Sequence, residues 1–217
     1  MLSLTHAKPA PESDRFVPAA QRVAGLADVA PPPDVLLALS KLPNAFAVTT
    51  EKIPLVIVTS SLIEALTPAE LEAVLAHEMT HLANRDAAVL TFVSGPSLWL
   101  SSMWHDGDRG WVVGVLFAPI WLVGVLLMRA VSRYREYAAD RGSALLTGAP
   151  EQLMSALTKI HGVEPTGDLR GGQAVSALCI RGFTSQRLPW FRDHPPLRKR
   201  LARLEAMARV QGKPVGP

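Results

Sequence analysis

Five consecutive residues, His77-Glu78-Met79-Thr80-His81, bring two imidazoles and a carboxylate into a little over one helical turn. On a helix, residues four apart lie on one face, so His77 and His81 can put two ring nitrogens on one metal ion. Glu78 reaches the same pocket from the side, as the base for a water held by that ion. The chemistry such a set performs is hydrolysis. The plain alternative is two surface histidines beside a glutamate on an ordinary helix, and these five residues alone do not decide between the two.

A catalytic zinc takes three protein ligands and keeps one position open, and two histidines with a glutamate are a known set. Downstream, Arg133-Tyr134-Arg135-Glu136-Tyr137-Ala138-Ala139-Asp140 places Glu136 and Asp140 four apart, on one helical face. Glu136 can complete the ligand set, and Asp140 can then hydrogen-bond a ligating histidine from behind. Without the upstream histidines the same run reads as an arginine–glutamate surface helix. Cys179 is the sole cysteine, so no intrachain disulfide forms. Any metal is left to histidine and carboxylate rather than thiolate, and a reducing compartment is compatible.

The element that must position the histidines is signalled independently of them. Thr67-Pro68-Ala69-Glu70 is a capping box with proline at the first helical position. Leu71, Val74, Leu75, Met79 and Leu82 then recur near a 3.6 period, until Asn84-Arg85-Asp86 breaks the pattern.

Between His81 and Glu136 lie two uncharged apolar stretches, Ala87 to Trp104 and Trp111 to Met128, joined by the polar turn His105 to Gly110. The second stretch has 18 residues, which reach about 27 Å as a helix, close to a hydrocarbon core. The first is diluted by serines, Gly95 and Pro96. Together they predict a helical hairpin across a membrane; two buried core helices are the soluble alternative. If His81 and Glu136 share one ion, the crossings between them must be even in number, and the sequence offers two. Arg85 flanks the hairpin on one side and Arg129, Arg133 and Arg135 on the other, which places the flanks, and with them the metal, on the cytoplasmic side.

Composition agrees with a membrane-associated chain. Of 217 residues, 48% are hydrophobic and 19% charged, more apolar than a typical soluble domain. The net charge is only +3, and the basic residues gather beside the apolar stretches and at the C-terminus, so nucleic acid is not an expected partner. Met1 to Pro11 lacks the apolar core of a secretory signal. Elsewhere the pattern predicts a short helix around Pro18 to Ala27, strands at Val35 to Leu39 and Leu55 to Thr59, and a helix over Glu151 to Ile160. Gly162 to Gly172 reads as a loop, and Leu197, Leu201, Leu204 and Met207 mark a final helix with arginines and Lys199 on a solvated basic face.

Several stretches together resemble the HtpX-type membrane zinc metalloproteases, related to the CAAX prenyl endopeptidases. They are Pro43-Asn44-Ala45-Phe46-Ala47, the run LTPAELEAVLAHEMTHLANRD, the run RYREYAADRG, and His194-Pro195-Pro196, in the family's order with the apolar hairpin in the family's place. The resemblance spans roughly residues 8 to 208. It implies one Zn²⁺ per chain held by His77, His81 and Glu136, with Glu78 as general base. It also implies endoproteolysis of misfolded membrane proteins, with the active site facing the cytosol. Asn44 to Val48, including Ala45, Phe46 and Ala47, would be an edge strand lining the cleft, able to pair with an extended substrate; a plain structural strand is the other reading. His194 resembles the family's histidine near the cleft, able to donate to a tetrahedral oxyanion; it reads equally as a helix-start histidine. Family members usually carry two further membrane helices ahead of the catalytic domain. The opening Leu2 to Pro9 instead resembles the segment just after them.

The expectation is thus an α+β, mainly helical, zincin-like metalloprotease domain with an inserted transmembrane hairpin. Residues 1–86 carry the edge strand and the histidine helix, 87–128 the hairpin, and 129–217 the third ligand. The expected function is zinc-dependent endoproteolysis in membrane-protein quality control at a cell membrane, the bacterial inner membrane, with polypeptide substrates. A non-catalytic, zinc-stabilised membrane adaptor that binds extended segments is the rival.

Overall fold

The computed structural model describes residues 7–12, 14–50, 53–103, 110–162 and 195–212. Four short strands, β1 (Lys8–Pro9), β2 (Asp34–Ala38), β3 (Ala45–Thr49) and β4 (Pro54–Thr59), form one sheet in the order β1-β2-β4-β3. β2 and β4 run parallel, whereas β3 runs antiparallel to β4 with Ala45 opposite Val58 and Ala47 opposite Val56. β4, rich in β-branched residues, is buried along nearly its whole length. β3 is an edge strand, as Asn44 to Val48 led one to expect.

Seven helices complete the described chain: α1 (Phe16–Leu26), α2 (Ser60–Ala65), α3 (Pro68–Ala83), α4 (Asp86–Met103), α5 (Gly110–Thr147), α6 (Pro150–Gly162) and α7 (Leu197–Val210). The fold is mainly helical α+β, as expected. β1 and α2 carry no signal that the sequence reading used.

α3 begins as predicted. The Thr67 hydroxyl accepts the Glu70 N–H at 3.3 Å, and Glu70 Oε2 accepts the Thr67 N–H at 2.8 Å, with Pro68 opening the helix. The sequence pattern suggested one apolar face. Instead Leu71 and every residue from Ala73 to Thr80 are buried, because β3, α1, α5 and α6 all pack on this helix. His77 is therefore buried, while His81, one turn on, is partly exposed. α3 stops where Arg85 enters the left-handed region, φ 52°, the usual device for ending a helix, and α4 begins at the next residue.

α4 and α5 pack on one another as the hairpin predicted. The polar run around Glu136 is not a separate helix: α5 continues without a break from Gly110 to Thr147, 38 residues, or about 57 Å at the α-helical rise. Among the described residues one helix, Leu116–Thr147, is long and apolar enough to cross a membrane, where the sequence pattern led one to expect two. α5 also crosses α3 at very short range. A Cβ at Gly142 would collide with Thr80 Cγ2 and Oγ1, and the Ser143 hydroxyl donates to the Ala73 carbonyl at 2.7 Å.

Candidate active site

His77 and His81 leave α3 on the same side, one turn apart. Their rings meet edge to face at 87°, with the two Nε2 atoms 3.2 Å apart. Glu136 arrives from α5 with Oε1 3.5 Å from His81 Nε2 and Oε2 3.9 Å from His77 Nε2. One potential ligand atom from each residue lies within 4.8 Å of the others.

The opposite nitrogen of each ring faces a carboxylate. His77 Nδ1 lies 3.2 Å from Asp140 Oδ1, and His81 Nδ1 lies 2.5 Å from Asp86 Oδ2. With the Nδ1 protons assigned toward these carboxylates, both Nε2 lone pairs point at each other. Two buried lone pairs at 3.2 Å repel unless a cation or proton lies between them. Tetrahedral donors about 2.0–2.1 Å from an ion stand about 3.3–3.4 Å apart, close to the observed separation. The residues therefore fit a divalent ion and could hold one.

Each backing carboxylate is itself met by a buried arginine. Arg200, from α7, donates to Asp140 from Nε at 2.9 Å and from Nη2 at 2.6 Å, and its Nη1 lies 3.2 Å from Glu136 Oε2. Arg135, from α5, places Nε 2.8 Å from Asp86 Oδ1. The sequence reading assigned α7's arginines to a solvated face; Arg200, 1% exposed, corrects this. Arg135, counted among the charges flanking the hairpin, is likewise buried, 7% exposed. Asp86 was read only as a helix breaker. The spacing of His81 and Asp86, across a helix end, was the one local signal that could have indicated its role.

The titratable groups divide in consequence. Burial, with the charges of His81 and Arg200, holds His77 below its usual range against the pull of Asp140. Burial also opposes charge on His81, but Asp86, Glu136 and Glu78 outweigh it and hold that ring above its usual range. Burial pushes Glu78 up to about 8; the Glu136 charge adds to this, while His81, a hydrogen bond from the Ala47 backbone and Arg200 oppose it.

That hydrogen bond ties the edge strand to the site. The Thr59 N–H donates to the Asn44 carbonyl at 3.0 Å, so the antiparallel alternation turns Phe46 and Val48 toward β4 and the backbone groups of Ala45 and Ala47 outward. Ala47 spends its N–H on Glu78. Glu78 Oε2 is buried with no hydrogen-bond partner among the described residues, and so are both amide atoms of Asn44. Phe46 packs on the far face of the sheet with Ala38 and Ile57, away from α3. His194 lies outside the described residues, as does the predicted loop beyond Gly162.

A mainly helical domain with two helix-borne histidines, a third donor from a second helix and an adjacent glutamate defines the metallopeptidase class. Residues 15–208 match the model of peptidase family M48, and the chain belongs to that family. It is 42% identical over 211 residues to "Protease HtpX homolog 2" of Methanosarcina acetivorans, covering 86% of this chain and 70% of that protein. It is 43% identical over 222 residues to "Protease HtpX homolog" of Moorella thermoacetica, covering 91% and 72%. The fold is also that of Ste24p from S. mikatae, with a TM-score of 0.62 at 17% identity over 92% of this chain. The match spans about half, 52%, of the Ste24p chain.

Proposed function

We propose that this chain is a zinc-dependent endopeptidase acting on misfolded or membrane polypeptides, with its hairpin in a cell membrane and its site on the cytoplasmic face. The observation that carries the reading is the convergence of His77, His81 and Glu136 beside the unpartnered Oε2 of Glu78. His77, His81 and Glu136 would hold the ion, which when bound supplies Lewis acidity toward water and a peptide carbonyl. Glu78 accepts a proton from the attacking water and returns it to the leaving amine. Asp140 and Asp86 fix the two histidine tautomers.

The outward backbone groups of Ala45 and the Ala47 carbonyl would pair with an extended substrate and place a peptide bond beside Glu78, giving affinity with little side-chain selectivity. Asn44, at the start of the same strand, carries an amide free to join those contacts. His194 remains a candidate oxyanion donor, to be tested by His194→Ala.

The membrane reading is supported by α5, where Leu116, Ile120, Val123 and Leu127 are 55–69% exposed along one face. On this reading the chain keeps the division into 1–86, 87–128 and 129–217, the last two parts sharing α5, with the hairpin inserted between the candidate ligands and Arg129 and Arg133 beyond it on the cytoplasmic side.

The test is cleavage of casein by detergent-purified protein with zinc, with chelator, and with Glu78→Gln. Cleavage that chelation abolishes and Glu78→Gln lowers by at least about 100-fold is expected. Full cleavage by Glu78→Gln would refute the assigned base. Stoichiometric zinc with no cleavage at all would favour a non-catalytic adaptor.

A further inference from the structure

The two histidines are backed by the same chemistry delivered from different places. Behind His77 stand Asp140 of α5 and Arg200 of α7. Behind His81 stand Asp86, the first residue of α4, and Arg135 of α5, so this backing is shared between the two arms of the hairpin.

Asp86 is 4% exposed. It reaches His81 because the left-handed turn at Arg85 swings the chain back across the end of α3. Its two oxygens are divided, Oδ2 on His81 Nδ1 and Oδ1 facing Arg135 Nε at 2.8 Å. Arg135 and Glu136 are consecutive on α5 and face about 100° apart, so one residue meets the carboxylate behind His81 while the next meets the ring nitrogens in front. A buried carboxylate set against a neutral imidazole alone is poorly compensated. Without the guanidinium, the buried Asp86 would lose the partner that holds Oδ1 and be free to turn away, which releases His81 Nδ1.

We propose that Arg135 is a positioning residue for the metal centre: it acts through Asp86 to hold His81 as a ligand, and so ties that ligand to the spacing of the two hairpin arms. The inference rests on the reading of His77, His81 and Glu136 as the metal ligands.

The experiment is a double-mutant cycle on zinc affinity, measured by competition with a chromogenic chelator on the full chain in detergent. Arg135→Met and Asp86→Asn are each expected to weaken zinc binding by about 10–100-fold. The double variant is expected to match Asp86→Asn alone, because the arginine has no route to the ion except through the aspartate. A purely structural role would lower the unfolding temperature of the metal-free protein and leave zinc affinity unchanged. That result overturns the proposal, and so do losses that multiply in the double variant. The same cycle with Arg135→Lys covers the case in which Arg135→Met does not fold, and multiplied losses there count equally against it. Retention of stoichiometric zinc by His81→Ala would instead defeat the ligand reading itself.

Discussion

Arg200 sets one guanidinium against two carboxylates to which the proposed function gives different tasks, Asp140 to orient His77 and Glu136 to meet an ion. Its Nη1 lies 3.2 Å from Glu136 Oε2, while Oε1 is the oxygen 3.5 Å from His81 Nε2. Arg200→Met strands both acids in a buried site. The expected loss is about 3–5 kcal/mol of stability, since breaking a buried pair leaves an uncompensated charge, and urea unfolding of the metal-free protein measures it. At this scale the sequence was legible wherever roles follow helical spacing. His77 with His81 and Glu136 with Asp140 are i, i+4 pairs, and their shared faces can be read without a fold. Asp86, Arg135 and Arg200 escaped because their partners come from other elements, and a buried arginine has no composition that distinguishes it from a solvated one.

At the scale of elements, the crossing of α3 and α5 sets how far Glu136 stands from the histidines. Gly142→Ala puts a methyl where Thr80 already is. The helices must part or Thr80 must abandon its hydrogen bond to the Ala76 carbonyl. An overpacking cost of about 1–3 kcal/mol is expected by chemical denaturation, together with weaker zinc binding.

The start of α3 gives a pH signature away from the metal. Burial raises the Glu70 proton affinity, but hydrogen bonds from Lys159, Ser155 and Thr67 outweigh it and hold the carboxyl at about 2. Because the folded value is depressed, this stabilisation is present above the ordinary value of 4.5 and is lost as pH falls toward about 2. Lys159→Met should make acid unfolding begin at higher pH, followed by circular dichroism. The capping box itself was legible because it is local; its tie to Ser155 and Lys159 on α6 was not. The all-round burial of α3 was equally hidden, since alanines and a buried histidine or glutamate blur the apolar stripe that marks one face.

For the molecule as a whole, the exposed apolar rows of α5 require a covering that water does not supply. Phe92 and Trp99 on α4, 85% and 67% exposed, extend that surface. Retention in membranes after alkaline carbonate extraction is the expected outcome, and recovery in the soluble fraction would make the hairpin a docking surface instead. What the sequence did not reveal is that the apolar stretch and the third ligand belong to one rod. A change from apolar to charged residues near Arg129 looks like a boundary between elements, whereas the backbone continues through it. If α5 spans a bilayer, as proposed, the rod makes that bilayer a mechanical gauge. Past Pro119 no further proline interrupts α5, and Glu136 sits about 21 Å along it from Leu122. A tilt of about 5°, of the kind that thickness mismatch imposes on a spanning helix, would swing that carboxylate by roughly 2 Å. Such a displacement exceeds what a ligand set tolerates, so turnover in reconstituted vesicles should peak at one acyl-chain length and fall on either side.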